Sequence, residues 1–410
     1  MSMGLINCTV DDKMFIGELS LNGDIVKING VLPLALSAME QGIKKCYVPI
    51  ENVGECDFIK DLEIIGVENL NQLVMILTTN MKPPEIKIIP QETEDYKYDF
   101  KNIKGQIQAR KASEIAAAGM HNMLMMGSPG VGKSIIAKAM PSILPDMTLE
   151  EQIEISKIQS VAGNLSGSLV KTRPVRSPHH TTTVSAMIGG GFNPKPGEIT
   201  QAHGGILFLD ELPEFSRQVI ETLRQPLEDE KIIVSRSGGI YEFPAKFILI
   251  GAMNPCKCGY YPDMNKCTCT EQEVKKYMEK ISGPLIDRID LCVHMNQVTY
   301  FQLEKEEQPE DSLTIKERVN RAVQIQRERY ANEKFKFNSQ LSGENIKKYC
   351  KLNKEEQHLM EKIYTTMDLS IRAYDKIIKV ARTIADLKQH EKIQQGDIAE
   401  AVSYRLVLFK

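Results

Sequence analysis

The stretch that decides the fold is Gly127-Ser128-Pro129-Gly130-Val131-Gly132-Lys133-Ser134. It matches the pattern G-x-x-x-x-G-K-S/T, in which glycines let backbone N–H groups approach an anion. The preceding residues 121–126 (HNMLMM) form a short apolar run that predicts a buried strand. Residues 135–144 (IIAKAMPSIL) have apolar side chains at helical spacing, and Pro141 limits that helix. Strand, glycine loop and helix in this order predict a phosphate-binding loop, where the helix N-terminus adds positive potential.

Each polar residue of this loop has a predicted role. Lys133 would neutralise the β- and γ-phosphates of a bound triphosphate, and Ser134 would bind Mg²⁺. The predicted nucleotide-binding residues are Gly127, Ser128, Pro129, Gly130, Val131, Gly132, Lys133 and Ser134. The alternative is a glycine-rich turn that carries a solvated lysine.

Composition is that of an ordinary globular protein. The chain has 410 residues, of which 42% are hydrophobic and 26% charged, and this length allows two or three domains. No apolar run approaches the length of a membrane span, and the N-terminus lacks a basic region followed by an apolar one. We therefore expect a cytoplasmic protein without a membrane segment. Its nine cysteines then predict reduced thiols, with metal binding favoured over disulfides.

Charge is distributed unevenly along the chain. Residues 1–100 carry 8 Lys/Arg and 16 Asp/Glu, whereas residues 311–410 carry 20 and 14. A polyanionic partner should therefore avoid the N-terminal region. The basic C-terminal region is equally compatible with a solvated helical surface.

Four segments differ in pattern. Residues 1–77 are predicted to form a small α/β unit, and residues 78–100, with three prolines and mixed charge, a linker. Residues 101–300 alternate strands and helices, which predicts a mostly parallel sheet with helices on both faces. Residues 301–410 are predicted to be helical.

Within these segments, turn and cap signals predict individual elements. Residues 14–21 are predicted as a strand, Asn22-Gly23 as a hairpin turn and residues 24–28 as the returning strand. Thr148-Leu-Glu-Glu151 predicts a capped helix to about Val161. In the N-terminal unit, residues 31–41 are also predicted as a helix and residues 45–49 as a strand. Four helices are predicted in the C-terminal part. Thr314-Ile-Lys-Glu317 caps the first, Asn353 begins the second, and the other two cover residues 370–388 and 397–408.

Two carboxylates follow a second apolar strand. Residues 205–209 (GILFL) are followed by Asp210 and Glu211. A strand that ends there would place Asp210 beside the Mg²⁺ and Glu211 beside the attacking water. The alternative is a helix N-cap with an acidic residue in the first turn.

Three further polar residues are candidates for the reaction. Asn254 follows the apolar strand 246–252 and could position a water near the γ-phosphate, although asparagine before proline is also a common turn residue. Arg288 and Arg372 carry guanidinium groups suited to charge that develops on phosphoryl oxygens. The alternative for each arginine is a surface salt bridge.

The combination of motifs resembles an AAA+ ATPase, specifically the magnesium-chelatase-like ComM/YifB family. The resemblance covers nearly the whole chain from residue 14. The matching stretches are RPVRSPHH (173–180), PGEI (196–199), LRQPLE (223–228), MNPCKCG (253–259), ISGPLIDRID (281–290) and ARTIADL (381–387).

This resemblance implies ATP hydrolysis on a P-loop AAA+ core with a parallel sheet and a helical C-terminal lid. Asn254 is similar to sensor 1, Arg288 to the arginine finger that reaches a neighbouring subunit, and Arg372 to sensor 2. A finger acting between subunits implies a ring, such as a hexamer. The resemblance further implies DNA, single-stranded or branched, as the partner, and helicase-type branch migration during natural transformation or recombination.

The N-terminal part resembles the back half of a Lon-protease-like domain. Leu34 occupies the position where active proteases have their catalytic lysine, and the half with the serine is absent from this chain. We therefore expect an N-terminal truncation and no peptidase activity.

Four cysteines lie within fourteen residues, in the order C-x-C, eight residues, C-x-C. They are Cys256, Cys258, Cys267 and Cys269. Four thiolates can complete a tetrahedral Zn²⁺ site, although C-x-C departs from the usual C-x₂₋₄-C spacing. An iron–sulfur cluster, a redox pair or unligated thiols are the alternatives.

Two polar loops are candidates for contact with DNA. Residues 171–180 (KTRPVRSPHH) are basic, and residues 235–241 (SRSGGIY) predict a hairpin tip. In this branch of AAA+ proteins comparable insertions line the central pore, where Arg236 and Tyr241 could contact phosphates and bases. An ordinary surface hairpin and a subunit-contact loop are the alternatives.

Three functions remain open from the sequence. The first is an oligomeric ATPase motor that moves DNA. The second is a chelatase-type motor subunit that remodels a partner protein, and the third is a nucleotide-dependent switch. ATPase activity measured with and without DNA separates the first from the other two.

Overall fold

The computed structural model describes residues 9–79, 96–165, 167–191, 194–236, 239–298 and 309–405. Packing divides the chain into two compact units. The first unit consists of Met1–Glu94, Met147–Thr172 and Gly191–Pro196, and the second of Asp95–Asp146, Arg173–Gly190 and Gly197–Lys410. The first unit therefore includes two segments, 147–172 and 191–196, that the sequence assigned to the core at 101–300. Most of the predicted linker lies outside the described residues.

The strands are short, as is usual for packed α/β units. They are β1 (Lys13–Phe15), β2 (Glu18–Leu19), β3 (Ile25–Val26), β4 (Lys45–Pro49), β5 (Glu63–Val67), β6 (Met123–Gly127), β7 (Val175–Arg176), β8 (Gly189–Gly190), β9 (Lys195–Pro196), β10 (Ile206–Leu209), β11 (Lys231–Arg236), β12 (Gly239–Pro244), β13 (Ile248–Met253) and β14 (Leu291–Met295).

The α-helices are longest in the C-terminal part. They are α1 (Val31–Glu40), α2 (Leu70–Thr79), α3 (Ile107–Gly119), α4 (Lys133–Ala139), α5 (Leu149–Ala162), α6 (Val184–Ile188), α7 (Glu198–Gln201), α8 (Arg217–Thr222), α9 (Arg224–Asp229), α10 (Glu271–Met278), α11 (Gly283–Ile286), α12 (Ser312–Arg329), α13 (Glu344–Tyr349), α14 (Lys354–Met367), α15 (Ile371–Leu387) and α16 (Gln395–Ser403).

The first unit is built on a three-stranded parallel sheet in the order β1-β4-β5. Helix α5 belongs to this unit because its Ser160 hydroxyl donates to the buried Glu55 carboxylate at 2.6 Å. The Asn52 amide donates to the other oxygen of the same carboxylate at 2.8 Å. A buried carboxylate must be paired in this way, so these contacts hold α5 to the N-terminal segment.

The predicted strand 14–21 is wrong as a single element. The structure has β1 and β2 instead, and they belong to different sheets. Gly17 separates them with φ of 154°, and a Cβ there would lie 2.8 Å from the Cγ2 of Ile25. The predicted hairpin turn at Asn22-Gly23 is confirmed, since β2 and β3 pair antiparallel across it.

The second unit contains a five-stranded sheet in the order β14-β6-β13-β10-β7, and every neighbouring pair is parallel. The predicted α/β class with a parallel sheet is therefore confirmed. Strand β6 leads into the glycine loop, and β10 and β13 lead to Asp210 and Asn254. Because parallel strands end at the same edge of a sheet, these three connections come together.

Both faces of this sheet are covered. Met123 and Met125 of β6 join an apolar cluster that includes residues of α3, α12 and α15. Leu124 and Met126 point to the other face, into a cluster with residues of α6 and α8. This alternation places apolar side chains on both sides of a central strand, as the continuous apolar run predicted.

The described C-terminal part is helical as predicted, with three corrections. The sequence did not predict α13, and the predicted helix 397–408 is α16, which begins at Gln395 and ends at Ser403. Residues 406–408 of that prediction lie outside the described residues.

Helix α12 is capped by Asp311, whose carboxylate accepts the Thr314 N–H at 2.8 Å, so the cap predicted at Thr314 is wrong. The buried Ser312 hydroxyl also bonds to Ser142 at 2.7 Å, which fixes the earlier start. Among the described helices, none is long and apolar enough to cross a membrane.

Candidate functional site

The glycine loop connects β6 to α4 with a backbone that requires glycine. Gly132, the residue before α4, has φ of 101°, in the left-handed region. At Gly127, a Cβ would lie 2.4 Å from the carbonyl oxygen of Met295 in the neighbouring strand. The loop can therefore take this path only with hydrogen at these positions.

Lys133 folds back onto the loop that precedes it. Its side chain is buried, and Nζ donates to the carbonyl oxygens of Gly127 at 2.6 Å and Ser128 at 3.0 Å. It also donates to Oδ1 of Asn254 at 3.1 Å. Burial lowers the pKa of Lys133, while the carboxylates of Asp210 and Glu211 act to raise it. The structure thus brings together Lys133 and Asn254, which are far apart in sequence.

Ser134 and Asp210 form the second contact of the site. The Ser134 hydroxyl donates to Oδ2 of Asp210 at 2.8 Å. Hydroxyl and carboxylate oxygens are hard ligands of the kind that Mg²⁺ takes beside phosphate groups. The pair therefore fits the predicted magnesium site.

Glu211 lies beside this pair with an unusual backbone. Its φ is 52°, and its N–H donates to Oδ1 of Asp210 at 3.0 Å. Non-glycine residues in this region carry strain that tends to occur at functional sites. Its side chain is 59% exposed, and one oxygen lies 3.4 Å from Nδ1 of His180. The carboxylate is thus held at the site and remains open to solvent.

His180 was not predicted to contact the site. The sequence pattern gave the two histidines of residues 171–180 no role at the nucleotide site. Their rings lie 4.0 Å apart, and His180 also meets Phe215 edge-on. The contact between His180 and Glu211 depends on the path that the chain takes after β7. The sequence pattern of residues 171–180 does not predict this path.

Arg288 lies at the other end of the sheet. The first residue of β14, Leu291, is in register with Met123, the first residue of β6. The glycine loop follows the last residue of β6, about 13 Å further along the strand. The Arg288 guanidinium pairs with Glu228 and donates to the carbonyl of Pro284 at 2.7 Å. The structure therefore does not bring Arg288 to Lys133 of the same chain.

Three side chains that the sequence did not single out anchor the backbone at Arg288. The Asn122 amide donates to the Arg288 carbonyl oxygen at 3.0 Å. Lys376 and Arg405 donate to the next carbonyl, that of Ile289, at 2.8 Å and 2.9 Å. Such contacts fix the position of the backbone at Arg288, and no local sequence pattern predicts them.

Arg372 is also distant from the glycine loop. Its side chain is 68% exposed and lies 3.6 Å from Oδ2 of Asp287, the residue before Arg288. The two candidate arginines are therefore near each other. Each arginine is in an ion pair, which was the alternative interpretation that the sequence left open for both. Neither arginine contacts Lys133 or Asn254.

The four cysteines of residues 256–269 converge. Their sulfur atoms all lie within 4.8 Å of one another. The Sγ of Cys258 is 3.3 Å from that of Cys256 and 3.5 Å from that of Cys267, and Cys256 is 3.8 Å from Cys267. Zinc–sulfur bonds of about 2.3 Å give sulfur–sulfur edges of about 3.8 Å in a tetrahedron. The donor set and its spacing therefore fit a zinc ion.

The arginines of the basic stretch 171–180 are less available for contact with DNA than the sequence indicates. Arg173 is 6% exposed and donates to the carbonyls of Pro145 at 2.8 Å and Gly204 at 2.7 Å. Arg176 makes a two-pronged pair with Glu198 at 2.6 Å and 2.8 Å. Both arginines hold the fold in place.

The second polar loop is a hairpin. Strands β11 and β12 pair antiparallel from Lys231 to Pro244. Near its tip Arg236 is exposed and Ile240 is 77% exposed, whereas Tyr241 is half-buried. Ser237 and Gly238 lie outside the described residues. The described arms thus carry a cation and an apolar side chain into solvent.

Family models match the chain along most of its length. The model described as magnesium chelatase, subunit ChlI, matches residues 99–303, and the model of the ChlI C-terminal part matches residues 309–405. A further model, described as subunit ChlI of Mg-chelatase, matches residues 3–52.

The sequences of several relatives are similar to this chain. Competence protein ComM of Haemophilus influenzae is 37% identical over 401 residues, covering 96% of this chain and 78% of the relative. YifB of Escherichia coli is 36% identical over 400 residues, covering 97% and 78%. A probable DNA helicase, MCM9 of Arabidopsis thaliana, is 25% identical over 230 residues, covering 56% and 29%.

Proposed function

Because this chain belongs to the magnesium-chelatase-like AAA+ family of ComM and YifB, we propose that it is an ATP-hydrolysing motor that acts on DNA. One observation carries the ATPase part of the proposal. Lys133, Ser134, Asp210 and Asn254 form hydrogen-bonded pairs at the carboxyl edge of one parallel sheet. These residues supply the cation, the magnesium ligands and the amide that a triphosphate site needs.

Each residue has a separate task in this proposal. The ammonium of Lys133 binds the β- and γ-phosphate oxygens in place of the loop carbonyls that it now contacts. Ser134 and Asp210 would hold Mg²⁺, which would supply positive charge to the phosphate oxygens. Glu211, exposed beside them, orients the attacking water and accepts its proton. Asn254, which contacts the ammonium of Lys133, positions that water near the γ-phosphate.

The two arginines support a site shared between subunits. Arg288 and Arg372 lie close to Asp287, at the end of the sheet away from the glycine loop. An arginine that cannot reach its own nucleotide can stabilise the transition state on a neighbour. Repetition of this head-to-tail contact closes a ring, and a hexamer is the ring that we propose.

DNA is the proposed partner on two grounds. Two relatives are named as a competence protein and a probable DNA helicase. The hairpin of β11 and β12 also exposes Arg236, which suits a phosphate, and carries the half-buried Tyr241, whose ring suits a base face. In a ring, these hairpins would face the strand in the channel.

The cysteine cluster is proposed to hold structural zinc. Cys256, Cys258, Cys267 and Cys269 are four thiols whose sulfur atoms lie within 4.8 Å of one another, and no disulfide joins these four residues. Metal analysis of the purified protein tests this directly. One zinc per chain is expected, and a chain without bound metal contradicts it.

ATPase activity measured with and without forked or four-way DNA tests the proposed function. DNA should raise the turnover rate several-fold. Replacing Glu211→Gln should abolish turnover and leave ATP binding intact, because the amide retains the shape but cannot accept a proton. ATP binding without any hydrolysis by the unmodified chain would instead indicate a switch.

A chelatase-type motor that remodels a protein partner is the second candidate. It is favoured by the family models, which are those of magnesium chelatase subunits. ATPase activity that DNA leaves unchanged would favour this candidate over a DNA motor.

A further inference from the structure

The cysteine cluster is joined to the nucleotide site by the chain itself. Cys256 follows Asn254 with only Pro255 between them, and Asn254 contacts the ammonium of Lys133. Cys256 is buried, and its sulfur accepts the N–H groups of Gly259 at 3.3 Å and Tyr261 at 3.4 Å. The first ligand of the cluster is therefore held two residues from the amide at the nucleotide site.

A second connection runs through space. Gly259 lies against Pro129 of the glycine loop, so closely that a Cβ at residue 259 would be 2.6 Å from Cδ of Pro129. The φ of Gly259 is 90°, which a side chain also disfavours. The backbone of the cysteine segment thus packs directly on the loop that is proposed to bind phosphate.

Regular secondary structure does not hold this segment. Residues 254–270 are all described, and they contain turns but no helix or strand. A metal bound to four sulfurs would cross-link the two halves of the segment, whereas its removal leaves mainly turn hydrogen bonds. The position of Gly259 and of Asn254 then depends on whether the metal is bound.

From these contacts we propose that metal binding at the cysteine cluster and nucleotide binding at the glycine loop strengthen each other. The inference rests on the proposed zinc site and the proposed ATP site. The metal holds Asn254 and the Gly259 contact in the arrangement that receives the nucleotide. Coupling of this kind is reciprocal, so bound nucleotide must tighten metal binding by the same factor.

Reciprocity allows a test that does not measure turnover. The zinc affinity of the full chain is measured by competition with a chromophoric chelator, with and without AMP-PNP and excess Mg²⁺. Nucleotide should tighten zinc binding by about fivefold or more, the lower range of allosteric coupling. Lys133→Ala is the matched control, because free nucleotide chelates zinc equally in both samples but the variant loses the ammonium contact.

A second pair of variants tests the contact itself. Gly259→Ala should keep one zinc per chain and weaken binding of a fluorescent ATP analogue by about tenfold, because the new methyl group displaces Pro129. Gly396→Ala is the control, since its Cβ would meet nothing within 4 Å. Cobalt substitution reports an intact thiolate site in both variants through its charge-transfer absorption.

Failures at different steps can be told apart. Equal zinc affinity with and without nucleotide, in a chain that binds both, overturns the coupling and leaves both sites standing. A chain without bound zinc overturns the coupling together with the metal site. A zinc-loaded chain that does not bind the ATP analogue overturns it together with the proposed function.

Discussion

At the scale of single residues, burial of the Lys133 side chain determines which partner its ammonium group favours. Its ammonium group is held by the carbonyls of Gly127 and Ser128 and by the amide of Asn254. These hydrogen-bond partners are neutral oxygens, and the carboxylates of Asp210 and Glu211 only partly offset the burial, which leaves the pKa of Lys133 lowered. A phosphate anion supplies the missing charge, and this is the physical reason to expect ATP there.

Replacing Lys133→Ala should weaken ATP binding by about ten- to hundredfold. This factor corresponds to the free energy of the charge-assisted hydrogen bonds that the variant loses. A fluorescent ATP analogue measures the affinity. Lys138→Ala is the control, because Lys138 is an exposed residue of the same helix and lies near Tyr98. Equal affinity in both variants would remove the lysine from the proposed site.

At the scale of secondary-structure elements, side-chain contacts at the helix end decide where α12 begins. The sequence pattern placed a cap at Thr314, whereas the carboxylate of Asp311 accepts the Thr314 N–H. Ser312, inside the first turn, is buried, and its hydroxyl oxygen accepts hydrogen bonds from the Ser142 hydroxyl at 2.7 Å and the Phe100 N–H at 2.9 Å. The start of α12 is therefore determined by contacts with residues more than a hundred positions away.

Asp311→Ala should lower the free energy of unfolding by about 1 kcal/mol, the usual cost of losing an N-cap. Thr314→Ala should have a smaller effect, since its exposed side chain is not the cap and alanine favours helix. Thermal or urea unfolding of both variants measures the difference. A larger loss from the Thr314 variant would contradict the assigned cap.

The separation of Lys133 and Arg288 matters at the scale of the whole molecule. They lie at opposite ends of the strand pair β6 and β14. Asn122, Lys376 and Arg405 hold the backbone beside Arg288 in place. In the proposed mechanism, Arg288 therefore acts on the nucleotide of another copy of the chain.

Mixing two inactive variants should therefore restore ATPase activity. Arg288→Ala keeps its glycine loop and Lys133→Ala keeps its arginine, so random mixing in equal amounts completes about a quarter of the interfaces. Activity should rise with mixing time as subunits exchange. Absence of activity in rings shown to contain both variants would contradict the shared site.

Sequence by itself determined the glycine loop, the strand before it and the α/β class. These features depend on neighbouring residues, because apolar runs, glycines and prolines act over one or two turns of chain. The grouping of Lys133, Asp210 and Asn254 was also predictable, since parallel strands bring their carboxyl ends together. Their proposed roles remain predictions.

Only the tertiary structure decided which distant segments meet. It buried Arg173 against Pro145 and Gly204, and it packed Gly259 on Pro129. It also joined Ser160 of α5 to Glu55 in the first unit. Contacts of this kind arise from packing between residues far apart in the chain, where the local pattern of a segment carries no information about its partner.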